Sequence, residues 1–278
     1  MKPDLHCHSY FSDGKHPPDF LLKRAAENNV THLAITDHDC TTAFEKPIVS
    51  DYGVKLIAGV EISCEWNNQE IHLVGLGIDY KNPALQSLLG NQQTLRRSRV
   101  TLMADLLHQN GVDGLLQYLK KLPCTVYTRS HVADFLIQYG KVKNKQKAFK
   151  QFLGRKGKAY VTFQWQSLEK VIETIKRASG LTVLAHPGRY FLNNRKLEEL
   201  VTHFAEMGGN AMEVSYGGIT PLMQNRLEKL AEASSLYISM GSDFHDAEAH
   251  WTDIGKYPSP SSTAKNNAIW NHPRCYFR

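Results

Sequence analysis

Thiols are few and unpatterned in this chain. Its five cysteines, Cys7, Cys40, Cys64, Cys124 and Cys275, form no CxxC pair. That excludes a disulfide framework and a thiolate zinc site, and predicts reduced cysteines in a cytoplasmic protein. Long apolar runs are missing too, since nothing approaches the ~20 residues of a membrane span. The start, MKPDLHCHSY, lacks the basic-then-apolar order of a secretion signal. Glutamate is absent between Asn91 and Tyr160, where fourteen Lys and Arg face three Asp. The whole chain carries a net charge of only +6, so positive charge is concentrated in this middle segment. Such a segment suits a polyanionic partner, RNA or a nucleotide, although lysine runs such as KVKNKQKAFK also form ordinary solvated helix faces. No feature asks for a membrane or an obligate protein partner.

What is present is an alternation of short apolar runs and helical patterns. PPDFLLKRAAENN predicts a helix entered through prolines. THLAITDHD, VKLIAGVEIS and IHLVGLGID read as strands. The pattern returns in the last third, where SLEKVIETIKRAS places Leu168, Val171, Ile172 and Ile175 at helical spacing and Gly180 ends the helix. LTVLAHP, NAMEVSYG and LYISMGSDFH then read as strands separated by the helices KLEELVTHFAEMG and PLMQNRLEKLAEASS. This order predicts an α/β fold with a parallel sheet, open or closed into a barrel. From Asn82 to Tyr160 the rhythm breaks. LRRSRVTLMADLLHQNG, SHVADFLIQYG and KNKQKAFKQFLG are helical, and no strand separates them. The expected organisation is a first barrel part over residues 1–81, a basic helical insertion over 82–160 and a second barrel part over 161–278. The tail after Trp251, rich in Pro, Ser and Asn, is expected to wrap the surface.

Metal-ligating side chains recur at the strand ends. DLHCHSYFSDG supplies His6, His8 and Asp13; ITDHD supplies Asp37, His38 and Asp39; GVEIS supplies Glu61; and EIHLVG supplies His72. LTVLAHP ends at His186, and YISMGSDFH ends at Asp243 and His245. Singly, each could be a turn, a cap or a hydrogen-bonded core histidine. Together they put nitrogen and oxygen ligands at the ends of six apolar runs, at the face of a parallel barrel where active sites form. Alternate residues of a strand share a side, so His6 and His8 converge while Cys7 faces away to pack. Cys40 and Cys64 are likewise expected to pack behind the site.

In that order, DLHCHS…D, ITDHD, GVEIS, IHLVG, LAHPG and GSDFH resemble the motifs of the PHP (polymerase and histidinol phosphatase) superfamily. The resemblance implies a distorted (β/α)7 barrel with a cluster of divalent ions, commonly three, at the strand ends. It also implies that His6, His8, Glu61 and Asp243 hold one ion. Glu61 would bridge to a second held by His72 and His186, and Asp13, His38 and His245 would hold a third. TRSHVADFL, AYVTFQWQSLEKVIETIKRASG and LAHPGRY resemble the subgroup with a helical insertion. Its members are 3′,5′-nucleotide bisphosphate phosphatases and 5′-3′ exoribonucleases of the RNase AM type. In that subgroup Arg129 and His131 would face the substrate phosphate. Ser130 stands where a proline is common, and AYVTFQW departs slightly from the family form, which bears on substrate fit.

The chemistry agrees with such a set. Phosphate monoester hydrolysis can need up to ~10²¹-fold acceleration. Divalent ions lower the pKa of bound water from 15.7 to about 7 and neutralise phosphate oxygens. Histidine and carboxylate ligands suit Mn²⁺ foremost, with Fe²⁺, Zn²⁺ or Mg²⁺ as alternatives. The expectation is a phosphoric ester hydrolase attacking 5′-phosphorylated RNA, or 3′,5′-bisphosphates such as pAp, with metal-bound hydroxide. Arg129, and more weakly Arg189, would clamp phosphate oxygens. His131 would contact phosphate or protonate the leaving oxygen, or else simply bond to backbone at a helix start. Asp37 would orient a histidine ligand. Three rivals share some of these features: a small-molecule phosphatase on pAp or histidinol phosphate, a non-catalytic metal-stabilised nucleic-acid-binding module, and a metal-dependent amidohydrolase. The last usually offers a carboxylated lysine at a strand end, and no lysine here sits suitably.

Overall fold

All residues of the first strand, β1 (Pro3–Cys7), are buried, as in a strand covered on both faces. The computed structural model describes residues 2–46, 52–249 and 251–275. After β1 the chain enters helix α1 (Pro18–Glu27) through Pro17 and Pro18 and buries Leu21, Leu22 and Ala25. It then forms β2 (His32–Ile35) and β3 (Lys55–Trp66), each parallel to its predecessor. Strand β4 (Gln69–Leu76) runs antiparallel to β3. The turn between them is only Asn67–Asn68, both at positive φ (47° and 58°). Two residues are enough for a hairpin and far too few for a parallel crossover, so β4 must run back. The sequence reading of a wholly parallel sheet is therefore corrected at this strand, and β3 runs past the expected Ser63 to Trp66.

Helix α2 (Pro83–Gln109) is continuous over 27 residues, starting well before the expected Leu95. The Asn82 side chain caps it, accepting from the amides of Ala84 (3.0 Å) and Leu85 (3.3 Å). Its first turns bury Leu85, Leu88 and Leu89 against the barrel core. Its last turns bury Val100, Met103 and Leu107 in a second core shared with α3 (Leu115–Leu119), α4 (Arg129–Gln138) and α5 (Lys145–Ala148). Among the described residues no strand interrupts the stretch from Gly77 to Trp165.

A two-residue strand, β5 (Gln166–Ser167), pairs with the far end of β3. Helix α6 (Leu168–Arg177), β6 (Leu181–Leu184), α7 (Asn194–Glu206), β7 (Ala211–Tyr216), α8 (Pro221–Ala233) and β8 (Tyr237–Gly241) follow. Strands β6, β7 and β8 are mutually parallel, and β6 is antiparallel to β4. The sheet order β1-β2-β3-β4-β6-β7-β8 nearly closes on itself. The His8 amide donates to Phe244 O and the Asp243 amide to His6 O, both at 2.9 Å. Gly241 makes that approach possible, since a Cβ there would stand 2.4 Å from His6 Cβ. Leu5, Ala34, Ile57, Val74, Val183 and Ala211 belong to one buried cluster on these strands.

The tail is more than a surface wrap. It forms α9 (Ser262–Lys265), and Asn267 O accepts from the Ile238 amide (2.8 Å). Ala268 and Ile269 are fully buried.

Candidate metal centre

Because β4 runs backwards, His72 near its start lies at the same mouth as the C-terminal ends of the parallel strands. All nine expected ligands meet there. Their donor atoms fall into four overlapping groups: His6–His8–Asp243, His6–Glu61–His186, His38–Glu61–His72, and His8–Asp13–His38–His245. Within each group the donor atoms lie within 4.8 Å of one another. The groups overlap rather than dividing the donors cleanly among ions. His38 sits between Glu61 and Asp13, and His186 shares its group with His6. The donors form one continuous cluster, so a single imidazole reaches two groups. Asp39, His186 and Asp243 take left-handed backbone angles (φ 45°, 29° and 53°), a strain characteristic of strand ends that aim side chains into a site.

Glu61 is the centre. Its Oε1 lies 2.9 Å from both His72 Nδ1 and His186 Nε2. Its Oε2 lies 2.9 Å from His38 Nδ1, 3.3 Å from His8 Nε2 and 3.4 Å from His6 Nε2. Burial would raise its pKa, yet His38, His72 and His6 hold it well below the usual carboxylate range. Burial also opposes charge on the rings, but Asp13 and Asp243 lift His245 to about 9, and Glu61 and Glu70 lift His72 to about 9. His8, buried beside His245, falls to about 3.

Three histidines have their Nδ1 committed elsewhere. His6 Nδ1 meets Glu213 Oε1 at 2.8 Å, and His245 Nδ1 meets Asp243 O at 2.9 Å. His8 Nδ1 lies 3.4 Å from Ser12 Oγ, whose own hydrogen is given to Asp37. Each Nδ1–H therefore donates and each Nε2 is turned to the mouth, the arrangement that metal-binding histidines adopt. Four buried polar atoms of the cluster, Asp13 Oδ1, His38 Nδ1, Glu61 Oε2 and His186 Nδ1, have no hydrogen-bond partner in the protein. His38 Nδ1 and Glu61 Oε2 are close but misaligned for a hydrogen bond. Buried polar atoms are rarely left so, and divalent ions fit this donor set.

The PHP domain family model matches residues 4–215. The chain belongs to the PHP domain family. It is 40% identical over 277 residues to the Escherichia coli 5′-3′ exoribonuclease Rnm, covering 98% of this chain and 94% of that protein. It is 34% identical over 258 residues to a 3′,5′-nucleoside bisphosphate phosphatase of Chromobacterium violaceum, covering 91% and 90%. A solved Chromobacterium violaceum structure, described as an amidohydrolase with bound sulfate and no metal, superposes with a TM-score of 0.90 at 33% identity, covering 97% and 95%.

Around the PHP donors stand residues that sequence reasoning assigned differently or missed. Asp37 bonds no histidine directly. It accepts from the Ser9 amide (2.7 Å), Ser9 Oγ (2.6 Å) and Ser12 Oγ (2.6 Å), so it folds the loop after β1 and reaches His8 only through Ser12. The orienting carboxylate on His6 is Glu213, whose Oε2 also accepts from the His186 amide (2.6 Å). Its signal was a single acid inside the apolar strand AMEVSY, the same signal that marked Glu61.

Arg129 is paired with Glu70 (3.2 Å) and is 31% exposed at the rim. Arg189 bridges Asp243 and Gly217 O, with its guanidinium 5.1 Å from the Tyr216 ring centroid. It thus buttresses a donor of the cluster. His131 closes a capping box: its Nδ1 accepts from the Thr128 amide at 3.1 Å, and Thr128 Oγ1 donates to Asp13 Oδ2 at 2.9 Å. The backbone-bonded reading of His131 is what the fold displays. The Cys7 thiol donates to Ala34 O (3.2 Å), and Cys40 and Cys64 are buried beside the site. Among the described residues no helix is long and apolar enough to cross a membrane.

Proposed function

We propose that this PHP-domain chain is a divalent-metal-dependent phosphoric ester hydrolase acting on 5′-phosphorylated RNA and on 3′,5′-nucleotide bisphosphates. The observation that carries it is the meeting, at one barrel mouth, of nine nitrogen and oxygen donors from both ends of the chain. We assign the nine as the ligands, Mn²⁺ as the foremost ion, and three as the number of ions. Bound there, the ions would acidify water and neutralise phosphate oxygens. The relatives named for exoribonuclease and bisphosphate phosphatase activity support the substrate class.

The protein's own residues do the rest. Arg129 can exchange Glu70 for a phosphate oxygen, since its guanidinium is at the rim and, among the described residues, one carboxylate pairs with it. His131 is kept neutral by burial, with its pKa pulled down to about 4. Because Nδ1 accepts from backbone, its proton resides on Nε2, so His131 offers a hydrogen bond to phosphate and does not act as a cationic acid. Glu213 fixes the His6 tautomer. Glu213→Gln should weaken divalent-ion affinity ~10–100-fold with the fold kept, as read by ion titration of thermal stability; unchanged affinity would contradict the role.

The basic segment favours RNA over small bisphosphates alone. Hydrolysis of a 5′-phosphorylated oligoribonucleotide and of pAp should both require Mn²⁺ and stop with chelator. For the oligonucleotide, log KM should rise with log salt at a slope of about 2 to 3, as three or four phosphate contacts on a single strand require. For pAp the slope should be much shallower. Turnover indifferent to chelator would sink the metal reading, and equal slopes would leave a small-molecule phosphatase with an incidentally basic cap.

A further inference from the structure

Three exposed apolar side chains lie on neighbouring segments at the rim of the mouth. Phe191 is 94% exposed, Leu222 is 83% and Trp251 is 59%, and these are the most exposed large apolar side chains among the described residues. They lie on the segments that follow β6, β7 and β8, the same strand ends that deliver His186 and Asp243. Soluble proteins scatter single apolar residues over their surfaces. Three on consecutive strand-end segments beside one site exceed such scatter, and exposed apolar surface of this kind marks binding surfaces.

Their exposure is enforced by neighbours. Tyr190 Oη donates to Ala185 O (2.7 Å) and accepts from the His72 amide (2.9 Å), and Leu192 packs on the barrel core. Phe191, between these two anchors, is driven outward. Thr252 is buried, its hydroxyl bonded to Ser242 O (3.1 Å), which turns the preceding Trp251 out over Gly218. A Cβ on Gly218 would lie 3.9 Å from the Trp251 ring. Met223 packs against Gly188, leaving Leu222 beside it exposed. Arg189 ties the three segments to one another, reaching from the turn after β6 to Asp243 after β8 with one arm and to Gly217 O after β7 with the other.

We infer that this rim is a stacking platform for the unpaired bases downstream of the scissile phosphate, with Phe191 and Trp251 as the stacking rings and Leu222 as an apolar wedge. The inference rests on the hydrolase reading above and adds to it a surface that selects RNA over mononucleotides. Two observations favour bases over a second protein as the occupant. Two of the segments that carry the three side chains also carry the donors His186 and Asp243. The cationic segment, inserted between β4 and β5 and free of glutamate, supplies positive charge suited to a phosphate backbone. Single-strand binders combine these two elements, a charged track and aromatic faces that accept any base.

The test compares wild type with Phe191→Ala, Trp251→Ala and the double variant on three substrates. These are a 5′-phosphorylated pentaribonucleotide, the same oligomer with abasic second and third nucleotides, and pAp. Wild-type turnover is read first, and failure on all three would sink the hydrolase reading and this one with it. Each single variant should raise KM for the base-bearing oligomer ~10-fold, at least several-fold more than for pAp. On the abasic oligomer the variants should lose little beyond what wild type has already lost. Phe191→Tyr should restore most of the affinity, because a ring remains. Equal losses on all three substrates, equal losses on abasic and base-bearing oligomers, or no loss at all would overturn the platform while leaving the hydrolase reading standing. A concentration-dependent dimer dissolved by Phe191→Ala, with KM unmoved, would also overturn it and assign the patch to a second copy of the chain.

Discussion

Glu61→Gln should lower kcat/KM for pAp by roughly 10³-fold or more while the chain stays folded, because several kcal/mol of charge stabilisation depends on it. One carboxylate touches five imidazoles, and both its oxygens are fully buried. Glutamine keeps the volume, so no cavity opens. It loses the charge, and its amide nitrogen, with no lone pair to offer an ion, replaces one carboxylate oxygen. Thermal unfolding with added Mn²⁺ separates ion binding from catalysis. An ion at ~100 times its Kd stabilises the folded state by about 2.7 kcal/mol, and Glu61→Gln should blunt that rise at the same Mn²⁺ concentration. A variant within about tenfold of wild-type turnover, or with the wild-type Mn²⁺ response, would remove Glu61 from the centre of the site.

The candidate donors were legible because most are polar residues at or just beyond the end of an apolar run, and that signal is local. What surrounds them was not. Strand β4 was read as parallel because the Asn67–Asn68 turn lay between two strand ends that had been drawn too short. Its reversal is decided by two positive-φ residues. Glu213 resembles any lone acid in a strand, and its partner His6 is 207 residues away, so only the closed barrel reveals the pair. Asp37 was credited with a histidine because histidine ligands need acceptors. The fold spends it on Ser9 and Ser12 and gives His6 to Glu213. The tail's polar composition concealed Ala268 and Ile269, two apolar residues that the barrel buries.

Arg96→Met should cost about 3–5 kcal/mol of stability, the usual consequence of leaving one partner of a buried ion pair uncompensated. In sequence Arg96 is one of fourteen cations read for their total charge. The structure removes it from the surface. Helix α2 begins at Pro83 and its buried face runs through Leu85, Leu88, Leu89, Gln92, Arg96, Arg99 and Val100, so the register carries polar side chains onto the barrel. Arg96 Nε donates to Asp39 Oδ2 at 2.6 Å, and its Nη2 donates to Ser63 Oγ at 2.9 Å. Its guanidinium stands 5.3 Å from the Trp165 ring centroid. Asp39 is fully buried and follows His38, and its amide donates to Glu61 O at 2.8 Å. The pair therefore fastens the basic insertion to the backbone that carries two donors of the site. Methionine fills the space of the stem but leaves the Asp39 carboxylate with Ser63 N and a long contact from Gln92. The melting temperature should fall on the order of 10 °C. Adding Asp39→Asn should recover part of that loss, since the neutral amide no longer needs a cation, so the double variant should be less destabilised than the sum of the singles. Additive losses, or an Arg96→Met chain melting within about 2 °C of wild type, would show that the insertion is held to the barrel by its apolar contacts alone.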